Sequence, residues 1–309
     1  MEAGGNARVV VVGSTMIDLV AYTDRVPDAG ETLVGRTFQM GFGGKGANQA
    51  VMASRLGATV AMVNCLGDDD YARMTLANFA AQGVDTRHVS TVPGTASGVA
   101  QIWVEADGTN RIIIVPGANE HLDAARAVAG LAAVDRPGAI VGQLEVPQAA
   151  TAAAFAAGRA AGIPTLLNPA PAAPISDDLL AVTDWLLPNE VEFAALTDGS
   201  SAFDDAALVA AARGFGVRLL VTLGGEGAAL VEPAGVTRFA APAVRVHDTT
   251  GAGDAFVGAF ATAVALGMPE EAAVGAAIRC ASDSVTRAGT QSSFPAADAA
   301  RRLLTDDAA

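Results

Sequence analysis

The sequence predicts an α/β protein with a mostly parallel central sheet covered by helices. Short apolar, β-branched segments alternate with alanine-rich helical segments along most of the 309 residues, as in proteins built from strand–helix–strand units. No repeat of fixed period and no long low-complexity linker interrupts this alternation. The composition is 51% hydrophobic and 17% charged, which provides a sizeable core and argues against disorder. We expect a single domain over residues 1–309.

Six segments are predicted strands, beginning with four consecutive valines at residues 9–12. This run is far too short for a signal-peptide core or a membrane span, and it suits a buried strand. The other predicted strands are residues 59–63, 139–144, 165–167, 185–187 and 219–223. The predicted helices between them are residues 48–56, 71–82, 147–161 and 203–215. A further helix follows residue 251, because Phe256, Phe260 and Val264 recur near the 3.6-residue helical period.

Two segments, residues 18–40 and 98–115, break the alternation. In both, apolar residues are interspersed with turn residues, as around Asp107 and Gly108, so both are predicted hairpins. We expect them to form one small sheet that projects as a lid over the strand ends. The outer face of such a sheet needs covering, which a second subunit would provide.

The charge, cysteine and histidine counts limit the possible functions. A formal net charge of −14 disfavours nucleic acid and anionic membrane surfaces as partners. Two cysteines far apart are too few for a disulfide framework or a thiolate metal site, and they fit a reducing cytoplasm. The three histidines lack paired metal-binding spacing. An anionic ligand would therefore be held by local amides, a few basic residues or a cation.

Residues 247–256 carry the most informative pattern. Gly251 and Gly253 open the predicted helix and have no Cβ, so ligand oxygens can approach the free N–H groups of its first turn. Asp254 is itself negative and unsuited to bind phosphate, but it can accept a proton from a hydroxyl that attacks a phosphate. The alternative is an ordinary acidic residue in a first helical turn, where the macrodipole favours it.

A second glycine motif occupies residues 41–46. It formally matches the dinucleotide fingerprint but does not follow the first strand, and Lys45 is followed by Gly46 rather than Ser or Thr, as a Walker P-loop requires. We interpret it as a loop that exposes its backbone to a small hydroxylated ligand, with Lys45 and Asn48 as polar contacts. The alternative is a tight structural turn.

Two further motifs follow predicted strands, where the ligand sites of α/β proteins gather. Residues 222–227 are glycine-rich and would lie under a nucleotide, or form a β-turn. In residues 188–192, Asn189 and Glu192 would order water around a magnesium ion, which usually retains several waters. The alternative for these residues is a solvated helix start.

The combination of these motifs resembles one family. Residues 43–48, the Asn-Glu-x-Glu run from Asn189 and residues 248–254 occur in the expected order, within a match from about residue 9 to residue 295. The chain is similar to the ribokinases, of the phosphofructokinase B-type (PfkB) carbohydrate kinase family. The resemblance implies a ribokinase-like α/β/α sandwich whose β lid pairs with its counterpart in a homodimer. It also implies transfer of the γ-phosphate of ATP to O5 of a pentose, D-ribose or 2-deoxy-D-ribose.

The resemblance assigns roles to the matching positions of this chain. Asp254 would be the catalytic base, with an anion hole formed by Gly251, Ala252 and Gly253. The sugar would contact Met16, Asp18, Gly44, Lys45, Asn48, Glu145 and Asp254. ATP would contact Asn189, Thr222, Gly224, Gly225, Gly227, Gly253 and Ile278, with magnesium held through water by Glu192. Potassium would bind, partly through backbone carbonyls, at Asp248, Thr250, Ser284, Arg287, Gly289 and Ser293.

Two positions depart from the family pattern. Met16 stands where ribose kinases usually carry Asn beside the sugar hydroxyls, and Ile278 replaces a polar residue on the adenine side. A thioether is a weak acceptor and no donor, so a hydroxyl buried against Met16 would lose roughly 1–3 kcal/mol. This favours 2-deoxy-D-ribose, and residues 13–20 and 289–293 also look more like the deoxyribokinase branch. Ile278 predicts looser recognition of the base.

Three other functions stay open from the sequence. A nucleoside or hexose kinase of the same family would take a larger substrate than a free pentose. A non-catalytic sugar-binding regulator would have no need for Asp254, Asn189 and both glycines of the anion hole. An NAD oxidoreductase is the most remote of the three.

Overall fold

The structure is a computed structural model that describes residues 7–197, 203–232 and 235–305. Its strands are β1 (Arg8–Val12), β2 (Met16–Tyr22), β3 (Thr37–Gly43), β4 (Thr59–Leu66), β5 (Val84–Thr91), β6 (Val99–Val104), β7 (Asn110–Val115), β8 (Ala139–Gly142), β9 (Thr165–Leu167), β10 (Trp185–Leu186), β11 (Arg218–Thr222), β12 (Ala228–Glu232) and β13 (Gly235–Phe239). Its helices are α1 (Lys45–Arg55), α2 (Asp70–Ala81), α3 (Ala124–Ala132), α4 (Gln148–Ala160), α5 (Asp177–Leu180), α6 (Glu190–Leu196), α7 (Asp205–Phe215), α8 (Ala252–Ala265), α9 (Glu270–Ser284) and α10 (Ala297–Thr305). Short 3₁₀ helices span Gly117–His121 and Gly224–Glu226.

Nine strands form one large sheet in the order β13, β12, β11, β10, β9, β8, β1, β4, β5. Neighbours are parallel from β11 to β5, and β12 and β13 extend one edge in antiparallel fashion. The six predicted strands are all found in it, so the predicted mostly parallel sheet is confirmed. Three strands, the edge strands β5 and β13 and the neighbouring β12, were not predicted. In β5 polar residues interrupt the apolar ones, because an edge strand needs no continuous apolar run.

Helices cover both faces of this sheet, which confirms the predicted α/β/α sandwich. Successive side chains of β1 point to opposite faces. Val9 joins a core that includes Phe260 of α8, and Val10 joins a second core that includes Phe155 of α4. Both faces of β1 are therefore buried, and the strand consists of valines after Arg8 for that reason. No helix in the described ranges is long and apolar enough to span a membrane.

The small sheet, which we continue to call the lid, has the order β3, β2, β6, β7, and it confirms that the hairpins predicted at residues 18–40 and 98–115 form one separate sheet. Two antiparallel hairpins, β2–β3 and β6–β7, join through the parallel pair β2–β6. The sheet reaches beyond the predicted bounds at residues 16 and 43. It is therefore tied directly to the end of β1 and to the start of α1.

Both faces of the lid expose large apolar side chains, with Ile112 and Ile114 on the face that also carries Asp18. Asp18 and Ile114 lie in one register row, so they share a face. Leu19, Met40 and Ile113 lie in the next row and therefore on the opposite face. This outer face exposes large apolar side chains, namely Phe38, Met40, Ile113 and Val115.

Candidate active site

Polar residues follow the carboxyl ends of five adjacent strands. In the order of the sheet, β11 ends at Thr222, β10 leads to Asn189, β9 to Asn168, β8 to Glu145 and β1 to Ser14. Parallel strands place these ends at one edge of the sheet, where α/β proteins bind ligands. The predicted strand 139–144 ends earlier, at residue 142, and the residues that follow it turn into this edge.

The first turn of α8 opens onto the same edge. Gly251 precedes the helix with φ +77°, and a Cβ there would lie 2.7 Å from Thr290 Cγ2, so this position requires glycine. A Cβ on Gly253, by contrast, would have no atom within 4 Å. The Ala252 N–H donates to the Thr249 carbonyl at 3.2 Å. The N–H groups of Gly253 and Asp254 have no acceptor within the helix, so they are available to bind an anion.

Asp254 lies in this first turn and is 7% exposed. Its Oδ2 accepts a hydrogen bond from Asn48 Nδ2 at 2.8 Å, and its Oδ1 accepts one from Gln49 Nε2 at 3.0 Å. Both amides come from α1, which begins three residues earlier than predicted. Its N-cap is Gly44 with φ +87°, where a Cβ would lie 2.7 Å from the Met16 backbone nitrogen. The loop over residues 41–46 is thus the end of a lid strand running into a helix, and it is not a dinucleotide site.

A cluster of charged side chains faces Asp254. Glu145 accepts hydrogen bonds from the Lys45 backbone N–H at 2.9 Å and from the Ser14 hydroxyl. Burial raises the pKa of the Glu145 carboxyl, although the Lys45 ammonium opposes this shift. Burial lowers the pKa of Lys45, but the carboxylates of Asp254 and Glu145 outweigh it and raise this pKa overall. Lys45 is therefore charged at neutral pH.

Asp18 reaches the same cluster from the lid. Its carboxyl group lies against Gly43, where a Cβ would be 2.4 Å from both carboxylate oxygens. Burial, followed by repulsion from Glu145 and Asp254, raises the pKa of Asp18 to about 7. A carboxyl group in this state titrates near neutral pH, and it can hydrogen-bond to the hydroxyls of a ligand enclosed by the lid.

A cavity of 340 Å³ lies on the other side of the α8 turn. It is within the size range of small-molecule sites. Most of the predicted ATP-contacting residues line it, namely Asn189, Thr222, Gly224, Gly227, Gly253 and Ile278. Gly225 does not line it. The sequence had not indicated the remaining apolar wall, which includes Ala241, Phe256 and Ala281.

Asn189 and Glu192 form a complete capping box at the start of α6. The Asn189 backbone N–H donates to Glu192 Oε2 at 2.9 Å, Asn189 Nδ2 donates to Oε1 at 3.0 Å, and the Glu192 N–H donates back to Asn189 Oδ1 at 2.8 Å. Burial raises the pKa of Glu192, although its bond from the Asn189 N–H opposes this shift. Both residues therefore start a helix, but Glu192 is buried rather than solvated. This arrangement leaves room for a water-mediated contact, because each carboxylate oxygen has a second lone pair.

The predicted potassium ligands lie on two neighbouring segments that Asp248 joins. Its Oδ1 accepts from the Thr250 N–H at 2.9 Å and the Thr250 hydroxyl at 2.6 Å, and its Oδ2 accepts from the Gly289 N–H at 2.8 Å. Backbone carbonyls and one carboxylate are hard oxygen donors, the type of ligand that suits hard cations. The Ser293 carbonyl, however, already accepts from Arg287 Nε at 2.8 Å, and the Ser284 carbonyl accepts from the Arg287 N–H at 3.3 Å. In the described residues, no group of three or more His, Cys, Asp or Glu side chains is arranged to hold a metal ion.

Comparison with known proteins decides the family. The model of the pfkB family of carbohydrate kinases matches residues 6–297. The chain belongs to the pfkB family. It is 40% identical to a deoxyribokinase of Salmonella typhi, over 96% of this chain and 98% of that protein. It is also 39% identical to a ribokinase of Bacillus subtilis, over 96% of this chain and 99% of that protein.

The solved structures agree with this assignment. The structure of Arabidopsis thaliana ribokinase complexed with ribose and ATP superposes with a TM-score of 0.88 at 32% identity, covering 97% of this chain and 99% of that chain. The resemblance drawn from the sequence motifs and the ribokinase-like fold are therefore both confirmed. This pfkB kinase is a sugar kinase with ATP as co-substrate.

Two residues of the kinase depart from the family pattern, and the structure locates both. Met16 is buried, and its sulfur lies 3.8 Å from Asn119 Nδ2, which also donates to the Thr15 carbonyl at 2.8 Å. A Cβ on Gly98 would lie 2.8 Å from the same sulfur. Met16 is thus packed at the base of the lid. Ile278 lies in the wall of the cavity, as predicted.

The sequence did not reveal several polar residues of the site, including Ser14, Gln49, Gln143, Asn168 and Gln291. A usable signal exists for some of them. Ser14 closely follows the first strand, and Gln49 follows Asn48 directly. Gln291 is 243 residues from its partner Asn48, and no local pattern connects the two.

Proposed function

We propose that this kinase transfers the γ-phosphate of ATP to O5 of a furanose pentose, and that Asp254 is the general base. One observation carries the proposal. Asp254 and Gly253 stand side by side at the boundary between the 340 Å³ cavity and the cluster formed by Asp18, Lys45 and Glu145. A donor on the cavity side and a hydroxyl on the cluster side would meet at this pair. The relatives named ribokinase and deoxyribokinase support a pentose as the acceptor.

In the proposed mechanism, the sugar lies between the lid and α1. Asp18 and Asn48 bind its hydroxyls, and Asp254 accepts the O5 proton as that oxygen attacks the γ-phosphorus in line. The N–H groups at the start of α8 stabilise charge on the transferring phosphoryl group. Lys45, held between the carboxylates, adds a positive charge on the sugar side. Closure of the lid excludes water, which would compete as acceptor.

Two cations belong to the proposal. Magnesium bound with ATP would neutralise charge on the donor phosphates, with Asn189 and Glu192 near it and contact made through water. Potassium would be held by Asp248, Thr250 and the carbonyls of the neighbouring segment, beside the residue that opens α8. Support comes from the oxygen donor set and from the bond between Asp248 and the Gly289 N–H.

The test of the base is Asp254→Asn. The amide cannot accept the proton, so kcat should fall about 10²- to 10⁴-fold while sugar binding, measured by calorimetry, survives. Asp70→Asn is the matched control, because Asp70 is also an acid in a first helical turn but is exposed on α2. A kcat of Asp254→Asn within a few-fold of wild type would refute the role of this residue.

We further propose that 2-deoxy-D-ribose is at least as good an acceptor as D-ribose. Met16 supports this, because its thioether is engaged by Asn119 and offers a sugar hydroxyl no donor. A sugar hydroxyl that loses its hydrogen bond against Met16 would lower the preference for D-ribose relative to 2-deoxy-D-ribose by about ten- to a hundredfold. Steady-state kinetics on ribose, 2-deoxyribose, fructose and nucleosides separate pentose, hexose and nucleoside kinases. A strong ribose preference that persists unchanged in Met16→Asn would contradict the assignment.

A homodimer through the lid is also proposed, with the chain forming one kinase domain. Its support is the exposed outer face that carries Phe38, Met40, Ile113 and Val115. The change Ile113→Asp should convert the dimer to a monomer in sedimentation analysis. Both cysteines are free and buried, and we propose a reducing cytoplasm as the compartment of this kinase.

A further inference from the structure

We propose that Gln49 is a positioning residue for phosphoryl transfer: together with Gln143 behind it, it fixes the plane of the Asp254 carboxylate so that one free lone pair faces the attacking hydroxyl. The inference rests on the proposed role of Asp254 as base. Gln49 is 1% exposed, so it is buried out of reach of a bound sugar. Its effect on the reaction passes entirely through Asp254.

The geometry at Asp254 is a two-point clamp. Gln49 Nε2 donates to Oδ1 at 3.0 Å, and Asn48 Nδ2 donates to Oδ2 at 2.8 Å. One donor on each oxygen prevents rotation of the carboxylate about its Cβ–Cγ bond. Each oxygen keeps another lone-pair direction for a ligand hydroxyl. A single donor would leave that rotation free.

Both amides of the clamp are themselves oriented. Gln143 Nε2 donates to Gln49 Oε1 at 2.6 Å, so the NH₂ group of Gln49 must point toward Asp254. Gln49 Nε2 also lies 3.2 Å from Asn168 Oδ1. On the other side, Gln291 Nε2 donates to Asn48 Oδ1 at 3.0 Å. If the amide of Asn48 or Gln49 were flipped, its oxygen would face an Asp254 oxygen and its NH₂ group would face the NH₂ group of Gln291 or Gln143.

Close packing of α1 against α8 brings the clamp within reach. A Cβ on Gly258, one turn after Asp254, would lie 2.6 Å from the backbone oxygen of Gln49. The two helices therefore touch almost backbone to backbone at this point. A side chain as short as that of Asn48 can then bridge them.

The clamp also offsets an electrostatic problem. Asp254 lies near Asp18 and Glu145, whose carboxyl groups both experience its charge. Donors to the ionised form favour that form. A buried amide is costly unless its groups are bonded, and an apolar side chain of similar length would fill the same space. It would, however, leave the buried amides of Gln143 and Asn168 each short of a partner, so the Gln49 amide also stabilises this network.

The test is Gln49→Met, which keeps the length of the side chain and removes the donor. We expect kcat to fall about 10- to 100-fold, as for a misplaced reacting group, while the KM for the sugar changes by less than about threefold. Gln143→Met, which only frees the amide of Gln49, should change the same parameters in the same direction but less.

Two controls separate the possible outcomes. Gln148→Met changes a glutamine that binds the Pro174 carbonyl and contacts no member of the clamp, and it should leave kcat unchanged. In the Asp254→Asn background, Gln49→Met should lower the residual rate no further, because the two residues act as one unit. If Gln49→Met or Gln143→Met folds with wild-type kcat while Asp254→Asn is inactive, the positioning role is refuted and the base survives. If Asp254→Asn stays active, the proposed role of Asp254 as base fails, and the positioning role of Gln49 fails with it.

Discussion

Gly253 allows the anion hole to be tested without damage to the fold. A methyl group added there meets no atom within 4 Å, since it would project into the open cavity. Alanine in place of glycine within a helix contributes about 0.5–1 kcal/mol of stability. Gly253→Ala should therefore fold at least as well as the wild type and unfold about 1–4 °C higher in a thermal melt.

The same methyl group should strongly reduce catalysis. It would occupy the space in which phosphate oxygens approach the N–H groups of the first turn of α8. Loss of one such donor typically costs about 10²- to 10³-fold in kcat, so a fall of at least about tenfold in kcat/KM for ATP is the minimum expected. A coupled assay of ADP formation at saturating sugar measures this ratio.

The matched control is Gly214→Ala. This glycine also lies in a helix, and a Cβ added to it would likewise have no atom within 4 Å, but it belongs to α7 and lies outside the cavity wall. The control should gain the same stability and keep full activity. A Gly253→Ala enzyme with wild-type kcat/KM would refute the proposed anion hole, because the transferring phosphoryl group would then not approach the N–H groups beside Gly253. A lowered melting temperature would show that the space beside Gly253 is not open.

Three further outcomes follow from the charged groups and from Ile278. Because the pKa of Asp18 is raised to about 7, the folded protein holds this proton more tightly than the unfolded chain, so ionisation costs stability as pH rises from about 4 to 7. Asp18→Asn should therefore raise the melting temperature more at pH 8 than at pH 5, and we expect the sugar KM of the variant to vary less with pH around 7 than that of the wild type. Asp248→Ala should abolish any activation by potassium, because Asp248 joins Thr250 to Gly289, and kinetics with potassium or choline chloride measure this. Ile278 offers the base no polar group, so a panel of nucleotide donors should show GTP or CTP used within about tenfold of ATP, and strict ATP use would contradict it.

The parts of the fold that depend on local pattern were predictable. The four valines of β1 and the helical period after Gly251 place their elements within a residue or two. Strand β5 and the early start of α1 were missed. Polar residues interrupt the apolar pattern of β5, and Gly46 interrupts the helical pattern at the start of α1. Only packing against neighbouring elements stabilises these two segments.

The candidate site divides in the same way. The glycines and carboxylate at residues 251–254 are contiguous, so their chemistry can be read from the chain. Gln49 and Asp254 are 205 residues apart, and only the close packing of α1 on α8 at Gly258 brings them into contact. The pKa of Asp18 likewise depends on burial by the lid and on two distant carboxylates.

The sequence by itself determined the α/β class, the family and the candidate base, because strand runs, helical periods and a contiguous motif are local properties. The tertiary structure decided which of several buried amides holds that base, which side of the α8 turn is open, and which carboxyl group titrates near neutral pH. The physical reason is that hydrogen-bond geometry and desolvation depend on distances of a few ångströms between elements far apart in the chain.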